Sequence, residues 1–359
     1  MKFDNLILYA IDLRLFDGEN NPTLNLNMTT SASEGNDLSA EMKTFYSDYL
    51  IEMAEAKLVH SQFGQKKPIP KNNGKQVEFR KYDPLPKITT PLAEGVTPKG
   101  QSINVGTVPA EVHQYGGYVA LTDILLLTAI DNNLAQATKL LGSQAGRTLD
   151  TITREVLNSG NNIQFWNDTL GGRDEVANET EAEPHHLTVD CIRRAVRNLK
   201  TMNAEPIDDS YVAIIHPDCA YDLMSDPDWK YPHQYKDTEN IYNGEIGKVA
   251  GVRFVETTEA KIWPKGSKWY DGPEDETGTE IARAVYSTLV IGDNAYGVID
   301  INGGGLEHIV KQLGSAGTSD PLNQRATAGW KATHAAVILV EPYMIRIETT
   351  STFDTETAN

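Results

Sequence analysis

Cysteine is nearly missing from this chain: 359 residues hold only Cys191 and Cys219. Two thiols without metal-ligand spacing exclude a disulfide framework and read as small buried hydrophobes in a reducing cytoplasm. Long apolar runs are also missing, since none approaches the roughly 20 residues that a membrane span needs. The short run Leu6-Ile-Leu-Tyr-Ala-Ile is hemmed in by Asp4, Asp12 and Arg14, and no small-residue cleavage site follows it. It does not read as a signal peptide, so the expectation is a soluble, intracellular protein. Positive charge is scarce as well, with 32 Lys and Arg against 50 Asp and Glu and a net charge of −18. Direct sequence-specific nucleic-acid binding normally uses a basic face, and this balance argues against it. A wall that contains nucleic acid without adhering to it would carry this sign.

Catalytic signatures are equally sparse. His185-His186 has no HExxH and no second ligand pair, and reads as a solvated loop, so no metal site is expected. His216-Pro-Asp218 reads as the start of a helix rather than as catalytic machinery. Gly303-Gly-Gly305 lacks the partners of a phosphate loop, and Gly314-Ser-Ala-Gly317 is one residue short of a nucleophile elbow. The adjacent acids Asp208-Asp209 and Glu274-Asp275 read as solubilising loops. No catalytic residue, cofactor or enzymatic activity is therefore assigned.

The informative features are organisational. The chain is longer than one core usually supports, and 40% hydrophobic with 23% charged residues is ordinary for a globular protein. Residues 1–36 read as a tail. An amphipathic helix should follow, capped by Asn36 or Asp37, with Leu38, Met42, Phe45, Tyr46, Tyr49, Leu50 and Met53 on one stripe. A β-arm is expected between Gln65 and Tyr118. Its outgoing strand is Lys75–Tyr82, its return strand is about 102–114, a bulge lies near Gly106, and a Pro- and Gly-rich crown joins them. From Lys66 to Lys99 there are eight basic residues against three acids, which is +5 on a chain whose remainder is −23. Only Phe79 and Tyr82 are available for base stacking, so an acidic protein surface, another copy of this chain first, is the expected partner.

After the arm, Leu134, Thr138, Leu141, Ala145, Leu149, Ile152 and Val156 follow helical steps, predicting a rod over 131–159 of roughly 40 Å. Gly142 and Gly146 within it read as tolerated. A polar connection over 160–186 precedes a second lobe: a helix capped by Thr188 through Val189, Ile192, Val196 and Leu199, a strand Tyr211–Ile215, and a helix Pro217–Met224. Further strands are expected at Val252–Glu256 and Ala284–Ile291, separated by an acidic loop at Gly272–Gly278. The chain should close with strands at Thr327–Val340 and Tyr343–Glu348, broken at Pro342.

This order, together with particular segments, resembles the major capsid proteins of tailed bacteriophages with the Hong Kong-97 type fold. Those segments are Lys75-Gln-Val-Glu-Phe-Arg-Lys-Tyr-Asp-Pro-Leu-Pro, Thr90-Pro-Leu-Ala-Glu-Gly-Val-Thr-Pro and Gln144-Ala-Gly-Arg-Thr-Leu-Asp-Thr-Ile-Thr-Arg-Glu-Val-Leu. Ile214-Ile-His-Pro-Asp, Tyr242-Asn-Gly-Glu-Ile-Gly, Gly251-Val-Arg-Phe-Val-Glu and Asp320-Pro-Leu-Asn-Gln-Arg-Ala-Thr-Ala-Gly-Trp-Lys extend the likeness to about 38–348.

The resemblance implies an α+β capsid fold: an N-terminal arm and helix at 1–64, an extended loop at 65–118, and a spine helix with the first part of a peripheral domain at 119–187. An axial domain at 188–300 and a β-rich return at 301–359 complete it. It implies pentamers and hexamers of an icosahedral virion capsid around double-stranded DNA, assembled in the host bacterial cytoplasm without sequence-specific DNA contacts or a membrane. Portal, scaffolding and decoration proteins are the candidate partners. An encapsulin-like compartment shell is the alternative. Lys75, Val77, Phe79, Arg80, Lys81, Lys87 and Glu94 of the extended loop are the expected inter-subunit contacts.

Overall fold

The computed structural model describes residues 24–25, 59–68, 75–82, 85–91, 94–95, 97, 100–128, 133–180, 183–234, 247–270, 278–299, 306–315 and 320–359. The amphipathic helix expected over 38–53, Gly303–Gly305 and nearly all of the acidic loop lie outside them. Along the chain the strands are β1 (Leu24–Asn25), β2 (Gln65–Lys67), β3 (Gln76–Tyr82), β4 (Val105–Glu111), β5 (His113–Thr122), β6 (Ile163–Phe165), β7 (Tyr211–Ile215), β8 (Lys248–Val249) and β9 (Val252–Glu256). They continue with β10 (Ile262–Trp263), β11 (Lys268–Trp269), β12 (Thr279–Glu280), β13 (Val285–Ile291), β14 (Tyr296–Ile299), β15 (Leu306–Lys311), β16 (Arg325–His334), β17 (Ala336–Ile338) and β18 (Met344–Thr349). The α-helices are α1 (Asp123–Thr128), α2 (Asn133–Asn158), α3 (Arg173–Ala177), α4 (Val189–Thr201), α5 (Pro217–Ser225) and α6 (Pro227–Gln234).

The chain divides into two compact units. The smaller comprises residues 1–53, 116–142 and 308–330. It contains most of a four-stranded sheet in the order β1-β5-β16-β15 and a small cluster of Leu121, Leu125 and Ala137. The larger is built on a seven-stranded mixed sheet in which β6, β18, β13, β7, β9 and β8 are successive neighbours and β10 pairs with β13. Strands β7 and β13 are buried along their whole length, as expected when both faces are covered.

One face of that sheet, with Ala213, Ile215, Tyr286, Val290, Ile345 and Ile347, packs with the α4 stripe Val189, Ile192, Val196 and Leu199. Thr188 caps α4 by accepting from the Cys191 amide, as its place before the stripe predicts. The opposite face, with Ile214, Leu289, Ile291 and Met344, packs with Val59, Leu157, Tyr296 and Val298. The alternation Ala213/Ile214/Ile215 thus feeds two cores, as the two-residue period of a strand requires.

Helix α2 departs from its expected stripe. Leu141, Ala145 and Leu149 are buried, but Ile152 and Val156 are only half-buried. From there the inward face passes to Asp150, Thr153, Arg154 and Asn158, alongside Leu157. Each polar group meets a distant partner. Thr153 Oγ1 lies 2.9 Å from His334 Nε2, Arg154 donates to the Glu259 carbonyl at 2.9 Å, and Asn158 accepts from Ser287 Oγ at 2.6 Å. Gly142 is exposed with open space around it, so it is tolerated rather than a close-packing device.

The connection 160–186, read as a polar link, is instead part of the larger unit. It supplies β6, parallel to β18, and α3, whose Arg173 makes a bidentate ion pair with the fully buried Glu348 at 2.8 and 2.7 Å. The Arg173 guanidinium lies over the Trp263 and Trp269 rings, 3.5 and 4.4 Å from their centroids. His185, expected in solvent, is buried: its Nδ1 lies 2.7 Å from the Val176 carbonyl oxygen and its ring stacks on Trp166.

Candidate functional site: a basic hairpin and its root

The most distinctive surface element is the hairpin β3–β4. Its register is unbroken from Gln76↔Glu111 to Tyr82↔Val105, so the bulge expected near Gly106 is not there and Lys81 pairs with Gly106. The change of phase instead falls at Val112, between β4 and β5. The Val112 amide donates to the Lys75 carbonyl at 2.9 Å and closes the hairpin base.

Burial divides the expected contact residues into two groups. Val77 and Phe79 face inward with Ala110, packing on Ile299 and Ala335 of their own chain, and Phe79 is 1% exposed. The sequence expectation placed both on the inter-subunit surface; they anchor the hairpin to its own body instead. The apolar period was read correctly, but its partner was not, because a buried face does not specify which chain buries it.

Lys75, Arg80, Lys81, Lys87 and Glu94 are all exposed, and none has an ion pair among the described residues. Arg80 stands opposite Thr107 on the outer face. Around them lie exposed apolar residues: Ile103 and Val105, from the expected return strand, are 69 and 47% exposed, and Leu85 and Ile88, which were not among the expected contacts, are 53 and 74% exposed. For Leu85 and Ile88 the signal was available, since aliphatic side chains in a Pro-rich crown have no hairpin face to serve.

The root is tightly built. Strand β2 pairs parallel with β14, placing Gln65, Lys66 and Lys67 beside Gly297, Val298 and Ile299. Lys67 Nζ sits 4.8 Å from the Phe79 ring centroid and donates to the Glu78 carbonyl. Upstream, the buried Asp150 accepts from the Val59 and His60 amides at 3.0 and 2.8 Å and lies 2.7 Å from His60 Nδ1. Tyr296 donates its hydroxyl to the His60 carbonyl at 2.5 Å, and burial pushes its phenol pKa up.

Among the groups considered for chemistry, His185 and His216 have structural partners. His216 caps α5, its Nδ1 accepting from the Asp218 amide at 3.2 Å, and burial lowers its pKa against the pull of Asp218. No group of three His, Cys, Asp or Glu side chains suited to a metal occurs among the described residues. No helix among them is long and apolar enough to cross a membrane.

Solved structures that align with this chain include phage capsids. The Ralstonia phage GP4 capsid aligns with a TM-score of 0.61 at 13% identity, covering 90% of this chain and 99% of that one. The capsid of cyanophage P-SCSP1u aligns with 0.60 at 13%, covering 89% and 96%. That of Helicobacter pylori bacteriophage KHP30 aligns with 0.55 at 11%, covering 97% and 100%. These likenesses establish a mixed α/β phage-capsid fold. No curated protein sequence matches the chain. A family model described as phage capsid protein matches residues 105–347, more than half of the sequence. The chain belongs to the phage capsid protein family, and its function is that of a major capsid protein, a structural component of the virion.

Proposed function

We propose that copies of this chain assemble through the β3–β4 hairpin into the pentamers and hexamers of an icosahedral shell around double-stranded DNA. In this reading the fold is of the Hong Kong-97 type. Residues 65–118 are the extended loop, α2 is the spine helix, 188–300 form the axial domain, and the flanking segments form the peripheral domain and N-terminal arm. Portal, scaffolding and decoration proteins are its partners in the host cytoplasm.

The observation that carries the proposal is the outward-facing hairpin of an anionic chain, on which Arg80, Lys81 and Lys87 have no ion pair among the described residues and Leu85, Ile88, Ile103 and Val105 are exposed. Exposed ion pairs contribute only about 0–1 kcal/mol each and weaken with salt. Burying an aliphatic side chain contributes about 1.5–3 kcal/mol. Leu85, Ile88, Ile103 and Val105 should therefore supply most of the contact energy, while Arg80, Lys81 and Lys87 select an acidic partner and orient it. DNA is then enclosed by a wall of like charge, without base-specific contacts.

The test is negative-stain microscopy of the expressed protein beside the triple variant Arg80→Glu, Lys81→Glu, Lys87→Glu. Wild type should form closed shells or capsomer rings, and the variant should remain as folded subunits with an unchanged circular dichroism melt. Normal shells from the variant would remove the electrostatic part. A wild type that stays monomeric at every concentration would remove the whole reading.

A further inference from the structure

Two consecutive residues of β14 hold both parts of the hairpin's root. Tyr296 fixes the incoming segment through its hydrogen bond to His60, and its ring leaves no room at Gly64, where an added Cβ would lie 2.5 Å from Tyr296 Cε2. Gly297, the next residue, receives Phe79: a Cβ there would lie 2.6 Å from Phe79 Cζ and 2.8 Å from Cδ1. Real Cβ atoms do not approach so closely in a close-packed interior, so alanine at 297 must push Phe79, and with it β3, outward. Asp150 ties the same incoming segment to α2, so hairpin, β14 and long helix share one buried junction.

We propose that Asp150, Tyr296 and Gly297 are positioning residues that set the angle of the hairpin on its body, and thereby determine whether copies close into a shell. This rests on the hairpin being the inter-subunit strap. The lever arithmetic explains why a small change at the root matters. From Phe79 to Lys87 the arm spans at most about 25 Å, so a 10° tilt moves its end by ~4 Å, close to a full strand spacing. Such a shift separates the crown from its receiving surface while hardly touching the central sheet.

The experiment compares wild type, Gly297→Ala, the compensating pair Gly297→Ala with Phe79→Leu, and Tyr296→Phe, which removes only the hydroxyl. Three quantities are read: yield of closed shells, trypsin cleavage after Arg80, Lys81 and Lys87 in unassembled subunits, and the melt of the body. Gly297→Ala should speed cleavage at those sites by about tenfold, as expected for local opening. It should abolish most closed shells and leave the body folded. Adding Phe79→Leu, which puts a smaller side chain against the new methyl group, should restore both shells and protection. Tyr296→Phe should show the same loosening to a lesser degree, which keeps a folded variant in hand if Gly297→Ala misfolds. Wild-type shell yield from a subunit with a loosened hairpin would overturn the proposal, as would unchanged cleavage in both variants. If wild type itself makes no shells, the strap reading fails, and the cleavage data still decide whether these residues fix the hairpin.

Discussion

Replacing Glu348 by Gln removes one negative charge from a buried ionic site and leaves its shape intact. The Glu348 carboxylate, fully buried on β18, receives two hydrogen bonds from Arg173, and Arg346 Nε lies 2.8 Å from its Oε1. Arg346 Nε has no properly aligned hydrogen-bond acceptor, so its link to Glu348 is electrostatic, while its other end donates to the Asn158 carbonyl. Burial lowers the Arg346 pKa against the pull of Glu348, with Arg173 lowering it further. In Glu348→Gln two buried guanidinium groups lose their common counter-charge, and breaking a buried pair in this way costs about 3–5 kcal/mol.

Urea unfolding of unassembled subunits, followed by Trp fluorescence, is the suitable assay because Trp263 and Trp269 cover Arg173. With a slope of about 3 kcal/mol per molar urea, the midpoint should fall by ~1–1.7 M. Arg173→Met should be less harmful in a Glu348→Leu background than in wild type, with coupling of about 2 kcal/mol. A Glu348→Gln midpoint within ~0.3 M of wild type, or additive effects, would refute the claim that this network is dry and mutually dependent.

Two further predictions concern pH. Burial holds His334 down at about 4 despite the attraction of Asp150. Its folded pKa lies below the unfolded value, so stability is complete above about 6.5 and falls toward about 4; wild type should lose ~2 kcal/mol more than His334→Gln between pH 7 and 5 in urea titrations. Glu179 behaves oppositely: burial pushes it up, but the His186 ring 3.8 Å away, hydrogen bonds from Thr350 and the His185 amide, and the Arg283 charge outweigh this and bring it to about 2. Its contribution is present above about 4.5 and lost as pH falls toward 2, so Glu179→Gln should cost ~2–3 kcal/mol at pH 7 and converge with wild type near pH 2 in thermal melts.

Legibility in the sequence followed the locality of the cause. Thr188 before Val189, Ile192, Val196 and Leu199 is a complete local statement of a capped amphipathic helix, and α4 matches it. The runs Tyr211–Ile215 and Val252–Glu256 matched residue for residue. The second half of α2 did not, because Asp150, Thr153, Arg154 and Asn158 resemble a solvated face until their partners, up to 205 residues away, are known. The same reason concealed the fold of 160–186, where Arg173 makes sense only beside Glu348. At the hairpin, period and charge were legible, whereas the assignment of Phe79 to its own body depended on Gly297, a residue with no side chain to announce the contact.

The placement of β18 also governs when the molecule can exist at all. This strand lies between β6 and β13 in the sheet, supplies Ile345 and Ile347 to one core and Met344 to the other, and carries Glu348. The larger unit therefore cannot close on the ribosome before residue 349 has emerged, and its folding is a late, long-range event of the slow kind. A prematurely terminated chain would lack the strand that joins both faces of the sheet. The topology therefore makes closure of the larger unit conditional on residues 344–349.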